Sequence, residues 1–281
     1  MEPLRFSTRL WLIVLALNAL VAALAVTTLQ ANRRTYEEAA EVSTQNLALA
    51  LNREIAGEYA TIDLALKSAA DMYKRLAAQP RFPEAEWNDY LRRQRTHLPI
   101  LAGLRAVNEQ GIIAWGLSPE DPVNVSITDR DYYLAHREGR LLGLYIGQPI
   151  QSRVTQKWAL PLARRLETPQ GDFAGLVVAT IRLEHFAKRF ADLKLGASGS
   201  IGFRDRNLRL IQRHPEIGEG PAIGSTRIAD DFRGALARDA TSGSYRAGAT
   251  SIDGVIRRHS YRLDPTYSFY INVGVAESDY L

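Results

Sequence analysis

The chain has no cysteine in its 281 residues, which excludes a disulfide framework, a thiolate nucleophile and any Cys-ligated zinc or iron–sulfur centre. Lysine is scarce as well. It stands only at positions 67, 74, 157, 188 and 194, so most of the 35 cations are arginine. Like charges never run beyond a pair, and 35 basic residues face 31 acidic ones, so no phosphate-binding stripe forms and no nucleic-acid partner is expected. The five histidines, at 97, 136, 185, 214 and 259, are scattered without H-E-x-x-H or another ligand spacing, so neither a metal nor a cofactor is expected. With 46% hydrophobic and 23% charged residues, the composition is that of a globular protein rather than a disordered tail.

One long apolar run is present. Leu10 to Leu29 carries no charge and is bracketed by Arg9 and by Arg33 and Arg34, which is the length of one bilayer crossing. Its Leu, Ile and Val residues sum to roughly −3 to −7 kcal/mol of insertion free energy, with Asn18 the one clear polar interruption. Ala23-Leu24-Ala25 also fits a signal-peptidase site, but the run exceeds a signal peptide's usual apolar core, so the segment reads as an uncleaved anchor. Arg5, Arg9 and the amino terminus balance Arg33 and Arg34, so charge leaves the orientation open.

From Ala31 to Gln79 there is no proline and one glycine, and Ile55, Tyr59, Ile62, Leu66, Ala69, Tyr73 and Leu76 recur at alternating spacings of four and three. That predicts a long helix with a narrow apolar seam, able either to pair with a second copy or to pack on the following domain. Pro80 and Pro83 stop it, and Pro83, Glu84 and Glu86 open a second helix through His97. Beyond Ile100 the pattern turns to short strands. Leu104 to Val107 and Ile112 to Trp115 flank a turn ending in Gly111, and Trp158 to Leu162 and Phe173 to Arg182 flank Thr168 to Gly171. Leu183 to Leu193 reads as a helix and Gly196 to Ser200 as a linker.

The last third repeats this order. Ile201 to Arg204 and Leu208 to Gln212 flank Asp205-Arg206-Asn207, and Arg257 to Leu263 and Ser268 to Val275 flank Asp264-Pro265-Thr266. Phe269, Ile271, Val273 and Val275 share one face of the final strand, while Tyr270, Asn272 and Gly274 share the other. The glycines at 218, 220 and 224 read as a surface loop, because Pro221 interrupts them. The fold class expected is therefore α+β: an N-terminal transmembrane helix, a long helix, then two antiparallel-sheet modules in tandem.

An anchor, a long helix and two such modules resemble the double Cache (dCache, PAS-like) extracytoplasmic sensor domain of bacterial transmembrane receptors. The resemblance covers nearly all of 31–281. Its most specific stretches are Asp129 to Arg137 (Asp-Arg-Asp-Tyr-Tyr-Leu-Ala-His-Arg), Ile146 to Ile150 (Ile-Gly-Gln-Pro-Ile), the apolar strand Gly175 to Arg182 and the tail Val273 to Leu281. It implies a cytoplasmic segment 1–9, a transmembrane anchor 10–30 in the inner membrane, a stalk helix 31–80, a membrane-distal module 81–193 and a membrane-proximal module 194–281. The residues after about 30 are then periplasmic, the distal module holds the ligand, and a diguanylate cyclase or histidine kinase output domain would lie beyond residue 281. A chain that stops at Leu281, before a second span, would have to act through a partner.

Amino-acid sensors of this kind use an Arg, a spacer and an aromatic pair, then a Tyr and two Asp. Arg130, Tyr132 and Tyr133 match the first part, but Ile150, Ser152 and Thr180 stand where the Tyr and the two carboxylates would fall. An ammonium group would then lack an anionic partner, so an anionic metabolite is favoured over an α-amino acid. The candidate ligand-binding residues are Arg130, Asp131, Tyr132, Tyr133, Gln148, Arg153 and Trp158. Arg130 and Arg153 supply planar donor forks, the aromatics supply apolar area with a polar handle, and Gln148 orients a ligand oxygen. No enzymatic role is expected, and a homodimer through the stalk helix is. Two other readings are a periplasmic hydrolase using Asp131 and His136, and a ligand-free dimerisation module in which Asp129 or Asp131 fully engages Arg130.

Overall fold

The computed structural model describes residues 6–218, 222–248 and 251–280. Arg5, counted above for orientation, Gly220 and Pro221 of the glycine loop, and Leu281 lie outside the described residues. A single helix, α1 (Phe6–Ala77), carries the apolar run and the seam without a break. Large side chains from Leu10 to Leu29 are all exposed, as a lipid-facing surface would be. α2 (Glu84–His97) follows the proline pair, with Glu84 and Glu86 complementing its amino end and Arg95 and His97 its carboxyl end.

The first sheet is built from β1 (Leu101–Asn108), β2 (Ile113–Trp115), β3 (Tyr145–Ile146), β4 (Ile150–Gln151), β5 (Trp158–Glu167) and β6 (Phe173–Arg182), in the order β2-β1-β6-β5-β3 with β4 also on β5. A short helix, α3 (Asp131–Arg137), crosses between β2 and β3, and α4 (Leu183–Ala191) leads out. The second sheet holds β7 (Ser200–Asp205), β8 (Leu210–His214), β9 (Ser242–Ala247), β10 (Arg257–Leu263) and β11 (Phe269–Ala276), in the order β8-β7-β11-β10-β9, with α5 (Asp230–Arg238) between β8 and β9. Two tandem antiparallel modules behind a long apolar helix are thus the architecture of the chain. Gly175 sits in β6 at φ +125°, where an added Cβ would lie 1.9 Å from the Val107 carbonyl oxygen, so glycine alone fits opposite β1.

The seam is not free for a second copy. Ile55, Tyr59, Ile62, Leu66, Ala69, Tyr73 and Leu76 are buried in one core that also takes Leu104, Leu160, Val177 and Ile181 from the first sheet and Phe203, Phe269, Ile271 and Val273 from the second. Of the two uses open to the seam the structure shows packing: α1 spends its apolar stripe on the chain's own two sheets, and a dimer through this helix would use residues outside that stripe. Polar ties run along the same side. Residues 37–45 of α1 meet the second module, where Arg258 bonds Glu41 at 3.0 Å and Thr44 meets Ser260 at 2.8 Å. Residues 63–74 meet the first, where Arg164 bonds both Asp63 oxygens at 2.5 and 3.1 Å.

Burial opposes ionisation of Asp63, but bonds from Arg164 and Lys67 outweigh it and hold the carboxyl below its ordinary value. Asp63→Asn is expected to cost about 1.5–3 kcal/mol in urea unfolding, because Arg164 then keeps a buried charge without its carboxylate.

Strand alternation puts a second, smaller apolar layer on the opposite face of each sheet. Val107, Ile113, Ile127, Tyr132, Tyr133 and Val178 form it in the first module, and Ile228, Phe232, Tyr245 and Tyr261 in the second. His259 lies in this layer on β10, its ring flat on Tyr245 and over Gly274, and burial pushes its pKa down to about 3. An unfolded histidine titrates near 6.5, so between pH 6.5 and 3 the unfolded chain binds a proton that the folded chain does not, and stability falls as pH falls. The expected slope from this residue approaches 1.4 kcal/mol per pH unit. His259→Gln flattens it, measured as urea midpoints at pH 7 and pH 5.

Candidate functional site

The outer face of the first sheet holds a cavity of about 40 Å³, roughly three water molecules' worth of space. β1 presents Arg105 and Val107 to it and β6 presents Val178 and Thr180, because the even-numbered β6 residues face away from the core around α1. α3 closes it from above with Arg130 at its N-cap and Tyr132 in its first turn. The segment after β3 forms the far wall through Ile150, Ser152, Arg153 and Val154. Ile150, Ser152 and Thr180, the residues standing in for an aromatic and two carboxylates, therefore all line this one cavity.

Its electrostatics are one-sided. Arg105 is 7% exposed and pairs with Asp121 at 3.0 Å. Arg153 grips Asp129 with two bonds of 2.7 Å and the Ser126 carbonyl with a third of 2.6 Å, which holds the Asp129 carboxyl down to about 2. Arg130 has neither partner: it donates to the Gln151 carbonyl at 3.2 Å, and its Nε is buried with no partner among the described residues. Neither Asp129 nor Asp131 forms a hydrogen bond or ion pair with Arg130, and Asp129 feels it only at longer range, so the full engagement expected of a ligand-free module is not seen. Ser152 accepts from the Val154 and Thr155 amides through Oγ, which leaves its hydroxyl hydrogen to donate. Tyr132 is 3% exposed, and burial pushes its phenol up to about 12, so it stays a neutral donor.

Of the residues chosen from sequence, Arg130, Tyr132 and Arg153 meet at this cavity and four others do not line it. Tyr133 is fully buried, edge-on to Phe173 at 5.9 Å, with its hydroxyl bonded to the Glu109 carbonyl at 2.7 Å. Trp158 shares the strand parity of Leu160 and Leu162, which puts it on the sheet face opposite the cavity, and it is 43% exposed. Asp131 accepts from the Tyr132 amide and the Tyr145 hydroxyl, and with Gln148 it lines a broad cleft between the modules of about 600 Å³. That cleft is larger, and two of its charge pairs are already made, Asp63 with Lys67 and Asp205 with Arg209. Sequence reading missed Arg105, whose signal is a lone cation inside the otherwise apolar strand Leu101 to Val107.

The Asp131 and His136 pair of the hydrolase reading does not form. His136 is fully buried, with its ring nitrogens on the carbonyls of Leu141 and Ala163 at 2.9 and 3.2 Å, and burial lowers its pKa. Among the described residues no cluster of His, Asp and Glu has the grouping a metal ion needs.

No protein-family model and no curated protein matches the chain. Solved structures do. The extracellular domain of rpHK1S-Z16, assigned as a histidine kinase, is 29% identical with a TM-score of 0.73, over 85% of this chain and 95% of that one. The ligand-binding domain of the Campylobacter jejuni chemoreceptor Tlp3, solved with 4-methylisoleucine, is 11% identical with a TM-score of 0.59, over 86% and 92%. The ligand-binding domain of Mlp24, solved with asparagine, is 18% identical with a TM-score of 0.61, over 88% and 96%. These neighbours are sensor domains of the double Cache type rather than enzymes, and the chain has their fold.

Proposed function

We propose that the chain is the ligand-sensing region of a bacterial membrane receptor, and that its distal module binds a small anionic metabolite through Arg130 with Arg105 behind it. Residues 10–30 anchor it in the inner membrane, and the modules stand in the periplasm, consistent with neighbours that are extracellular domains. The first module is the distal one, since α1 meets the second module through residues nearer the apolar run. The observation that carries the ligand class is Arg130: a cation with a buried, unpartnered Nε on a cavity lined by Ile150, Ser152 and Thr180 and by no carboxylate among the described residues. A carboxylate satisfies it, whereas an ammonium group finds only arginines and hydroxyls there.

Binding reaches the membrane by favouring one arrangement of the modules along α1, since a ligand with equal affinity for both arrangements moves nothing. Arg130, Asp131 and Tyr132 are consecutive, with the outer two at the cavity and Asp131 at the inter-module cleft, so a ligand that draws in Arg130 also shifts the cleft wall. The kinase assignment of rpHK1S-Z16 supports a histidine kinase output over a diguanylate cyclase. A homodimer, if formed through α1, uses the exposed face around Leu64.

Differential scanning fluorimetry of the full chain in detergent tests the ligand class. Small carboxylates are expected to raise Tm while the corresponding neutral amides do not. Stabilisation by amines alone would overturn the reading.

A further inference from the structure

The second module carries a cavity at the matching place. In both modules the strand paired to the last long strand contains Gly-x-Arg, as Gly103-Leu104-Arg105 in β1 and Gly202-Phe203-Arg204 in β7. Gly103 stands opposite Thr180 of β6 and Gly202 opposite Asn272 of β11. Both arginines are buried, at 7% and 6% exposure, and each lines the cavity of its own module. The second cavity measures about 60 Å³, roughly four water molecules' worth of space. Ala229, the N-cap of α5, takes the place that Arg130 holds at the N-cap of α3.

Three polar atoms in its lining are buried without a partner among the described residues: His259 Nδ1, Asn272 Oδ1 and Ser251 Oγ. His259 is 9% exposed. Asn272 already donates through Nδ2 to the Tyr245 hydroxyl at 2.7 Å, and its Oδ1 lies within reach of the His259 ring without a well-aligned hydrogen bond to it, so the two can share a ligand hydroxyl that donates to Oδ1. Charge in the lining is again one-sided. Arg213 and Arg257 share the single carboxylate of Asp253 at 2.9 and 2.7 Å, and Arg204 is held by the carbonyls of Leu208, Ser225 and Arg227, with no carboxylate bonded to it among the described residues. Leaving buried polar atoms unmatched is costly, and three arginines against one aspartate leave the lining positive.

We propose that this cavity is a second ligand site, taking a small 2-hydroxycarboxylate whose carboxylate answers the arginine excess and whose hydroxyl donates to Asn272 Oδ1. Ile228, Phe232 and Ala247 cover its carbon skeleton. Burial lowers Arg204 to about 10, which marks a positive charge short of counter-charge. The site differs from the one proposed in the distal module and does not depend on it.

The test is isothermal titration of the full chain in detergent with glycolate and with L-lactate, in an Arg130→Ala background that silences the distal module. At least one of the two acids is expected to bind at one site per chain. Adding Asn272→Asp, which keeps the size but places a negative charge against the carboxylate, is expected to weaken binding tenfold or more. Gly202→Val is the second variant. A Cβ there meets only Asn272, at 3.9 Å, so the added branches occupy the cavity and binding is lost, with circular dichroism melts confirming the fold of both variants. Absence of binding by both acids, meaning ordered water only, would overturn the proposal. So would binding that neither variant changes.

Discussion

Arg130→Ala is expected to weaken binding of a small carboxylate to the full chain roughly 30-fold or more, corresponding to about 2 kcal/mol or above, by isothermal titration. The size follows from geometry. Arg105 and Arg153 are already paired with Asp121 and Asp129, so Arg130 is the cation at this cavity with donors left to give. Removing it takes away the ligand's charge-assisted bonds while leaving two neutralised pairs behind. Arg130→Lys keeps the charge but loses the planar fork, so it is expected to fall between wild type and alanine. Arg153→Ala should act differently, freeing Asp129 at the rim and repelling the anion. Equal affinity in wild type and Arg130→Ala would remove the basis for placing the ligand here.

The second large effect concerns the joint between the modules. Phe203 of β7 is fully buried, edge-on to Phe186 of α4 at 5.0 Å and to Phe269 of β11 at 5.4 Å, and Phe269 in turn meets Tyr59 of α1 at 5.5 Å. These rings carry the shared core from the last helix of the first module through the second sheet to the long helix. Phe203→Ala is expected to cost about 3–5 kcal/mol of unfolding free energy, combining lost transfer energy with the cavity left among aromatic neighbours. Chemical denaturation monitored by circular dichroism measures it. A loss under 1 kcal/mol would mean that the modules do not depend on this joint.

Much of the fold is legible in the residues themselves. The seven-residue spacing from Ile55 to Leu76 specifies one helix and one buried stripe, and Gly111 and Gly171 adopt the positive φ that their turns need. What packs against the stripe is not legible, because a periodic seam looks the same whether a second copy or the chain's own sheets cover it. The weakly marked elements escape for local reasons. β3 and β4 are two residues each, β9 reads Ser-Gly-Ser-Tyr-Arg-Ala with little apolar alternation, and α5 is short and interrupted by Gly234. At the candidate site, the Asp129 to Arg137 stretch identifies α3 and its capping arginine, but side-chain direction separates the neighbours. Tyr132 meets the cavity while Tyr133 and Trp158 do not, and Arg105 enters from a strand far earlier in the chain. Its repeated Gly-x-Arg at 103–105 and 202–204 is the signal that relates the two modules.

The most direct measurement is a crystal structure of the protein with a carboxylate that raises its Tm. The account predicts the carboxylate against Arg130 within the cavity between α3 and the first sheet, close to Ser152 and Thr180 and with Asp129 still on Arg153. A carboxylate seated instead in the cleft beside Asp131 and Gln148, with Arg130 Nε still unpartnered, would contradict it.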